Sequence, residues 1–187
     1  MKPVPRHVIV DHMTYEENVR PELRQRVLAA KATRRVHVGE HFTFLFENTL
    51  TMQYQIQEMV RVERLVREAD IVHEIETYNG LLGAHGELAA TLMIEIDDPA
   101  VRAVKLGEWL ALPEHVYVVL DDGSRVRATF DPAQVGADRV SSVQYLKFPL
   151  GGRVPVAVGV DLPGAEAETR LTTEQRAALT EDLASES

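Results

Sequence analysis

The chain has 187 residues, of which 45% are hydrophobic and 26% charged, the balance of an ordinary globular protein with a sizeable core. A formal net charge of -9 disfavours nucleic acid as a main partner, because an acidic surface repels phosphate backbones. The absence of cysteine excludes disulfides, thiolate metal sites and any cysteine-ligated iron–sulfur cluster in this chain. A metal would therefore need histidine or carboxylate ligands.

No apolar run approaches the ~20 residues that a membrane-spanning helix requires. The first twelve residues also lack the apolar core and the cleavage site of a signal peptide. We therefore expect a cytoplasmic protein that does not cross a membrane. Residues 1–187 are interpreted as a single domain with a helical first half, a β-rich second half and a frayed tail over 184–187.

The first half of the chain is predicted to be mainly helical. Its elements, in order, are a helix over 14–32, a β-hairpin over 34–47, a helix from 51 to about 69, and a short helix over 70–78. In the hairpin, a three-residue connection over 39–41 sets Val38 opposite Phe42 and keeps every apolar residue on one face. A glycine-rich loop is expected over 79–86.

The second half is predicted to be mainly β. The segment over 87–96 is apolar on both faces, which is typical of a central strand. Asp98 and Pro99 are a strong start signal for a helix. The remaining elements are strands over 115–120, 125–130, 142–148 and 156–160, and a last helix over 173–183. The fold class is therefore α+β, with N-terminal helices packed on a largely antiparallel β-sheet.

The segment TMQYQIQEMVRVERLV, residues 51–66, has many polar residues beside its apolar positions. At ~100° per residue, one side of this helix holds Met52, Ile56, Met59 and Val66. The opposite side includes Gln53, Gln57 and Arg61, which are candidates for binding a partner. Glu63 falls in the middle of the apolar side, where a carboxylate must be neutralised, paired or bound to a metal. The alternative is that the helix end emerges into solvent at Glu63, or that this residue pairs with an arginine.

A metal site is one interpretation of the acidic residues in this region. The candidate ligands are Glu58, Glu63, His73 and Glu74, because carboxylates and histidine bind iron, manganese or zinc. A solvated, charged helix face over 73–80 is the simpler interpretation.

An enzyme active site is the other interpretation. Glu95 belongs to the predicted central strand, on the face that it shares with Thr91 and Met93. If that face packs on the helix over 51–66, then Glu63, Tyr78 and Glu95 become the catalytic candidates of a helix–sheet pocket. A carboxylate would act there as general acid or base.

The strings LTMQYQIQEMVRVER, YNGLL, ATLMIEI, SSVQYL and AVGVD-P resemble a bacterial family known as domain of unknown function 3501. The resemblance runs from about residue 14 to 183. It implies a protein with no assigned activity, whose gene often lies beside genes for rubrerythrin-like and heterodisulfide-reductase-like iron–sulfur proteins. At position 144 this chain has glutamine where members of the family sometimes have histidine, which argues against a metal site that uses position 144.

The resemblance and the residues together favour an accessory protein of a redox or peroxide-defence system. Such a protein would bind an iron–sulfur or rubrerythrin-type partner and would hold a metal through its carboxylates. An enzyme with a carboxylate in a helix–sheet pocket is the alternative, and a structural homo-oligomer subunit is a third.

Overall fold

The computed structural model describes residues 1–185, which form six α-helices and eight β-strands. The helices are α1 (His12–Thr14), α2 (Arg20–Ala32), α3 (Thr49–Val62), α4 (Glu68–Leu81), α5 (Pro99–Glu108) and α6 (Thr173–Ala184). The strands are β1 (Arg35–Val38), β2 (Phe42–Glu47), β3 (Glu87–Ile94), β4 (Val116–Val119), β5 (Arg125–Arg127), β6 (Val143–Pro149), β7 (Ala157–Val160) and β8 (Ala167–Arg170). A π-helical turn over Tyr15–Val19 joins α1 to α2. The α+β prediction is confirmed.

Within the described residues, the strands form two four-stranded sheets in the orders β1-β2-β3-β6 and β5-β4-β7-β8, with every pairing antiparallel. The central position predicted for β3 is confirmed. The predicted hairpin register is also confirmed, because Val38 pairs with Phe42 and Val36 with Phe44. Among residues 1–185, no helix has the length and apolar character needed to cross a membrane.

The two sheets face each other across the main hydrophobic core. Alternate residues of β3 and β6, among them Leu92 and Phe148, enter this core with residues of β4, β7 and α6. The sheets also approach each other at both edges. On one side the backbones of Thr129 and Lys147 exchange two hydrogen bonds of 2.7 and 2.9 Å. On the other, the Thr169 hydroxyl of β8 donates to the His37 carbonyl of β1 at 2.8 Å. The result is a flattened, nearly closed barrel.

Helices α2, α3 and α4 lie on the outer side of the first sheet. Lys147 of β6 donates from Nζ to the Gly80 carbonyl near the end of α4, at 2.8 Å. A second hydrophobic cluster fills the helical layer and consists of Val4, Ile9, Met52, Ile56, Val60, Ile71, Ile75 and Leu82. The N-terminal segment therefore covers the helices as an additional layer.

The prediction of one helix from 51 to about 69 is wrong, because α3 ends at Val62. The Leu65 amide donates to the Val60 carbonyl at 3.0 Å, and the Arg64 amide donates to the Arg61 carbonyl at 3.3 Å. These two bonds are those of a Schellman motif, with Arg64 in the left-handed region at φ 51°. Leu65 packs on the same cluster as Val60. A new helix, α4, then begins at Glu68.

Other boundaries differ by smaller amounts. Helix α4 extends to Leu81, so the predicted glycine loop is shorter than 79–86. The strand predicted over 87–96 ends at Ile94. Strand β8 was not predicted, since its sequence, AETR, has no apolar alternation. Ala184 is the last residue of α6, Ser185 follows in a turn, and 186–187 of the predicted frayed tail lie outside the described residues.

A buried ion pair joins the C-terminal helix to the junction of α2 and β1. Arg34 donates from Nε and Nη2 to the two carboxylate oxygens of Asp182, at 2.7 and 2.9 Å. Both side chains are more than nine-tenths buried. Asn48, the N-cap of α3, donates to the same carboxylate at 3.1 Å. This group ties α2, α3 and α6 to the first sheet.

Replacing Arg64 with glycine is expected to stabilise the protein by about 0.5–1 kcal/mol. The left-handed conformation costs an L-residue ~1–2 kcal/mol, which exceeds the additional chain entropy that glycine loses on folding. Urea denaturation at pH 7 measures the change. The control is Glu63→Gly, one residue earlier at φ −87°, where glycine should instead destabilise by about 0.5–1 kcal/mol. Equal effects at both positions would contradict the assigned motif.

Candidate functional site

Glu58, one of the proposed metal ligands, lies in a hydrogen-bonded ion cluster. Its Oε1 accepts from the Tyr15 hydroxyl at 2.7 Å and from Arg20 Nε at 2.8 Å. Its Oε2 accepts from Arg61 Nη2 at 2.8 Å. Arg61 also lies 3.4 Å from a carboxylate oxygen of Glu16. Both oxygens of Glu58 are therefore engaged by protein donors.

The π-helical turn positions two members of this cluster. It places the Tyr15 ring in the interior, where the side chain is fully buried, and brings Arg20 to the same carboxylate. Burial raises the pKa of Tyr15, and the hydrogen bond to Glu58 raises it further. Burial also raises the pKa of Glu58, but hydrogen bonds from Arg20, Tyr15 and Arg61 outweigh this effect and bring it down to about 2. Glu58 is a structural anion.

The four predicted metal ligands do not assemble. Glu63 is exposed at the end of α3, which is the alternative in which this helix end emerges into solvent. His73 is exposed and Glu74 is half-buried, both on α4. In the described part of the chain, no group of three or more histidine, aspartate or glutamate side chains is arranged to hold a metal ion. The helix phase placed Glu63 inward because the break at Val62 was not foreseen.

The three predicted partner-binding residues of α3 differ in burial and in their contacts. Gln57 is fully buried, so its assignment to an outer face is wrong. Its amide donates to the Val10 carbonyl at 2.8 Å, and its Oε1 accepts from the Val10 amide at 3.0 Å. The N-terminal segment covers this side of α3, so the helix is buried on two sides. Helix periodicity gave the wrong assignment because it identifies only one buried side. Arg61 belongs to the ion cluster, and Gln53 is half-buried.

The three catalytic candidates lie in two separate places. Glu95 is exposed just beyond β3 and accepts from the Thr43 hydroxyl at 2.7 Å. Tyr78 is half-buried on α4, and burial raises its pKa, with further increases from the nearby Tyr145, Glu74 and Glu63. Glu63 and Tyr78 thus lie close to each other, whereas Glu95 lies just beyond the end of β3 beside Thr43.

An open concavity lies near Tyr78, between the end of α4 and strand β6. We call it the α4–β6 cleft. It has a volume of about 390 Å³ and is lined by Gly80, Leu81, Thr129, Phe130, Asp131, Gln134, Tyr145, Leu146 and Lys147. Tyr145 is 39% exposed and Val143, two residues earlier on the same face of β6, is 38% exposed. The cleft is open to solvent and combines apolar, amide and charged groups.

The residues that shape this cleft were missed by sequence reasoning. Gln134 is the last residue of a short 3-10 turn over Pro132–Gln134, and it binds the backbone of Tyr145 through both polar atoms of its side-chain amide, at 2.8 and 3.0 Å. An isolated glutamine in a polar loop gives no sequence signal of such a contact. Strand alternation places Tyr145 on the side of β6 opposite the buried Leu146 and Phe148.

Glu47 is a buried carboxyl that the sequence analysis also overlooked, because it ends an apolar strand like an ordinary polar boundary residue. Oε1 accepts from the Thr91 hydroxyl at 2.7 Å, whereas Oε2 is buried without a hydrogen-bond partner among the described residues. Burial raises the pKa of Glu47, and the hydrogen bond from Thr91 does not offset this effect. Glu47 lies outside the lining of the cleft.

Comparison with known proteins extends over nearly the whole chain. The family described as "Protein of unknown function (DUF3501)" matches residues 3–183, which confirms the resemblance seen in the sequence. The chain is also similar to a crystal structure described as a novel protein of unknown function from Burkholderia pseudomallei K96243. The two are 29% identical with a TM-score of 0.88, over 97% of this chain and 100% of the other. No curated protein gives a significant match.

Replacing Glu58 with glutamine is expected to lower the free energy of unfolding at pH 7 by about 3 kcal/mol, since the folded-state pKa of about 2 lies well below the ordinary 4.5. A depressed pKa stabilises the fold above pH 4.5, and this contribution disappears as the pH falls toward 2. The difference between wild type and variant, measured by denaturant titration, should shrink over that range. Glu63→Gln, on the exposed end of the same helix, is the control and should have little effect on stability at pH 7.

Replacing Glu47 with glutamine is expected to raise the melting temperature at pH 7. The raised pKa of Glu47 means that its ionised form opposes folding, so the opposition is absent below pH 4.5 and grows as the pH rises. The gain in melting temperature should therefore vanish in acid. Glu95→Gln, at an exposed carboxyl, is the matched control. A variant that is less stable than wild type at pH 7 would show that the Glu47 anion is favourable in the fold.

Proposed function

Because the chain belongs to the DUF3501 family, we propose that it is an accessory protein of a cytoplasmic redox or peroxide-defence system, which binds an iron–sulfur or rubrerythrin-type partner. The gene neighbours implied by the family resemblance support this choice of partner. The absence of cysteine supports a division of labour in which any cysteine-ligated cluster resides in the partner.

The observation that carries a binding role is the exposed surface beside the α4–β6 cleft. Tyr145 and Val143 project from the outer side of β6, where Val143 pairs with Met93 of β3. Aromatic and aliphatic side chains next to an open cleft are typical of the anchor regions of protein interfaces. Tyr78 adds a second aromatic ring, which is half-buried, near the exposed Tyr145.

The geometry favours binding over catalysis at a helix–sheet pocket. A carboxylate general acid or base requires a site that shields it from water and positions it against a substrate. Of the three catalytic candidates, Glu63 and Glu95 are exposed, and only Tyr78 is partly buried. Glu58 and Glu47 are buried to different degrees, but the first is held by two arginines and the second lies outside the cleft.

Purified rubrerythrin-type and heterodisulfide-reductase-type proteins from the same genome are expected to bind the chain with a Kd of about 1–100 μM, the range of a transient interface. Isothermal titration calorimetry measures the affinity. Tyr145→Ala should weaken binding about tenfold, because it removes an exposed aromatic anchor.

Val104→Ala, at an exposed valine of α5, is the control and should leave the affinity unchanged. Binding by neither redox protein would refute the proposed partner class. Equal losses for Tyr145→Ala and Val104→Ala would refute the proposed surface.

A further inference from the structure

On the outer edge of β6, the backbone N–H and C=O of Tyr145 are not paired with a neighbouring strand. Residues of odd number in β6 direct their backbone N–H and C=O away from β3, as the Lys147 bonds to Thr129 show. At Tyr145, two residues from Lys147 along the same edge, the backbone instead binds the Gln134 side chain. Its Oε1 accepts from the Tyr145 amide at 2.8 Å and its Nε2 donates to the Tyr145 carbonyl at 3.0 Å.

This pair of bonds is the one that a strand residue would make. In an antiparallel ladder, two opposite residues exchange both N–H···O bonds, and Gln134 reproduces that exchange with a side chain. The glutamine is half-buried and extends from an exposed loop segment. A rotamer change of Gln134 would therefore free both backbone groups of Tyr145 and extend the ladder that starts at Thr129 and Lys147.

The cleft beside this edge has room for a side chain of an added strand. Leu81 and Phe130 supply apolar walls, and the volume of about 390 Å³ exceeds that of any single side chain. A strand laid along β6 would direct alternate side chains toward and away from this cleft, as alternate residues of any strand do.

The charges around the cleft select the chemistry of the incoming strand. Asp131 lines the cleft, and Glu74 and Glu63 lie near enough to Tyr78 to raise its pKa. None of these three carboxylates forms an ion pair among residues 1–185. The one cation in the lining, Lys147, already donates to the Gly80 carbonyl. The rim thus attracts lysine and arginine.

From these observations we infer that the edge of β6 at Tyr145 binds an extended basic segment of a partner protein by strand addition, with Gln134 as the group it displaces. Main-chain bonds to Tyr145 would give affinity, an aliphatic side chain would enter the cleft, and basic side chains would meet the acidic rim. This inference rests on the proposed binding function and specifies the surface and the chemistry of the partner segment. The opposing view is that Gln134 only protects a strand edge from aggregation.

The test uses a capped eight-residue peptide of alternating lysine and valine. Its affinity for the full chain is measured by calorimetry, and protection of the Tyr145 amide is measured by hydrogen exchange. Gln134→Ala should bind the peptide about tenfold more tightly than wild type, because no side-chain bonds must first be broken. In the free variant the Tyr145 amide should exchange faster, and the peptide should restore its protection.

Three controls make the result specific. The peptide N-methylated at every residue should not bind, because it lacks the donors of a strand. The alternating glutamate and valine peptide should not bind, because the rim repels it. Gln53→Ala, at a half-buried glutamine of α3, should bind like wild type.

Equal binding of the N-methylated or the acidic peptide would overturn the inference. The inference would also be overturned if Gln134→Ala does not bind the lysine peptide more tightly than wild type and the peptide does not protect the Tyr145 amide. That outcome is expected if Gln134 only protects the strand edge. If the redox proteins bind while the lysine peptide does not, this inference fails and the proposed function stands. If the peptide binds while neither redox protein does, the proposed redox partner is refuted and strand addition at Tyr145 stands.

Discussion

The ion pair between Arg34 and Asp182 is the contact on which the two halves of the molecule depend. It spans 148 positions in sequence and lies where α2 ends, β1 begins and α6 packs. The backbone carbonyl of Arg34 also accepts from the Phe46 amide at 2.9 Å, so the same residue anchors strand β2. Removing one partner of such a buried pair leaves an uncompensated charge, which typically costs several kcal/mol. The helical layer and the barrel are therefore energetically coupled.

Polar side chains hold extended segments in place in three parts of the chain, by the same pair of amide bonds. Gln57 binds both backbone groups of Val10, and Asn79 binds both backbone groups of Val4 at 2.7 and 3.0 Å. These two amides attach the N-terminal segment to the helices. Gln134 makes the equivalent contact to Tyr145 of β6. The first two contacts lie inside the helical layer, and the third faces solvent beside a cleft.

Much of the barrel was predictable, because its signals are local. Alternation and a three-residue turn were enough to give the register of the first hairpin, and apolar character on both faces identified β3 as central. The end of α3 was not predictable, since arginine at position 64 gives no sign of a left-handed cap that usually needs glycine. Once the helix was drawn too long, Glu63 and Val66 were placed inward, whereas Val66 is 74% exposed.

The candidate site was harder to predict from the sequence than the barrel, because it depends on contacts between distant segments. Tyr78 was a candidate of the predicted helix–sheet pocket, but its neighbour Tyr145 comes from a strand 67 positions later. The closure of the barrel explains why the candidate site lies at Tyr145. Thr129 covers the edge of β6 at Lys147, and at the start of the strand the Ser141 hydroxyl accepts from the Val143 amide at 3.2 Å.

After Thr129 the chain turns away from the edge of β6 into an exposed segment that contains Gln134, so a flexible side chain takes the place of a strand at Tyr145. The edge is closed by backbone at Lys147, by the Gln134 side chain at Tyr145 and by the Ser141 hydroxyl at Val143, which restricts strand addition to Tyr145. Such an arrangement limits uncontrolled aggregation while it keeps a short, specific docking edge.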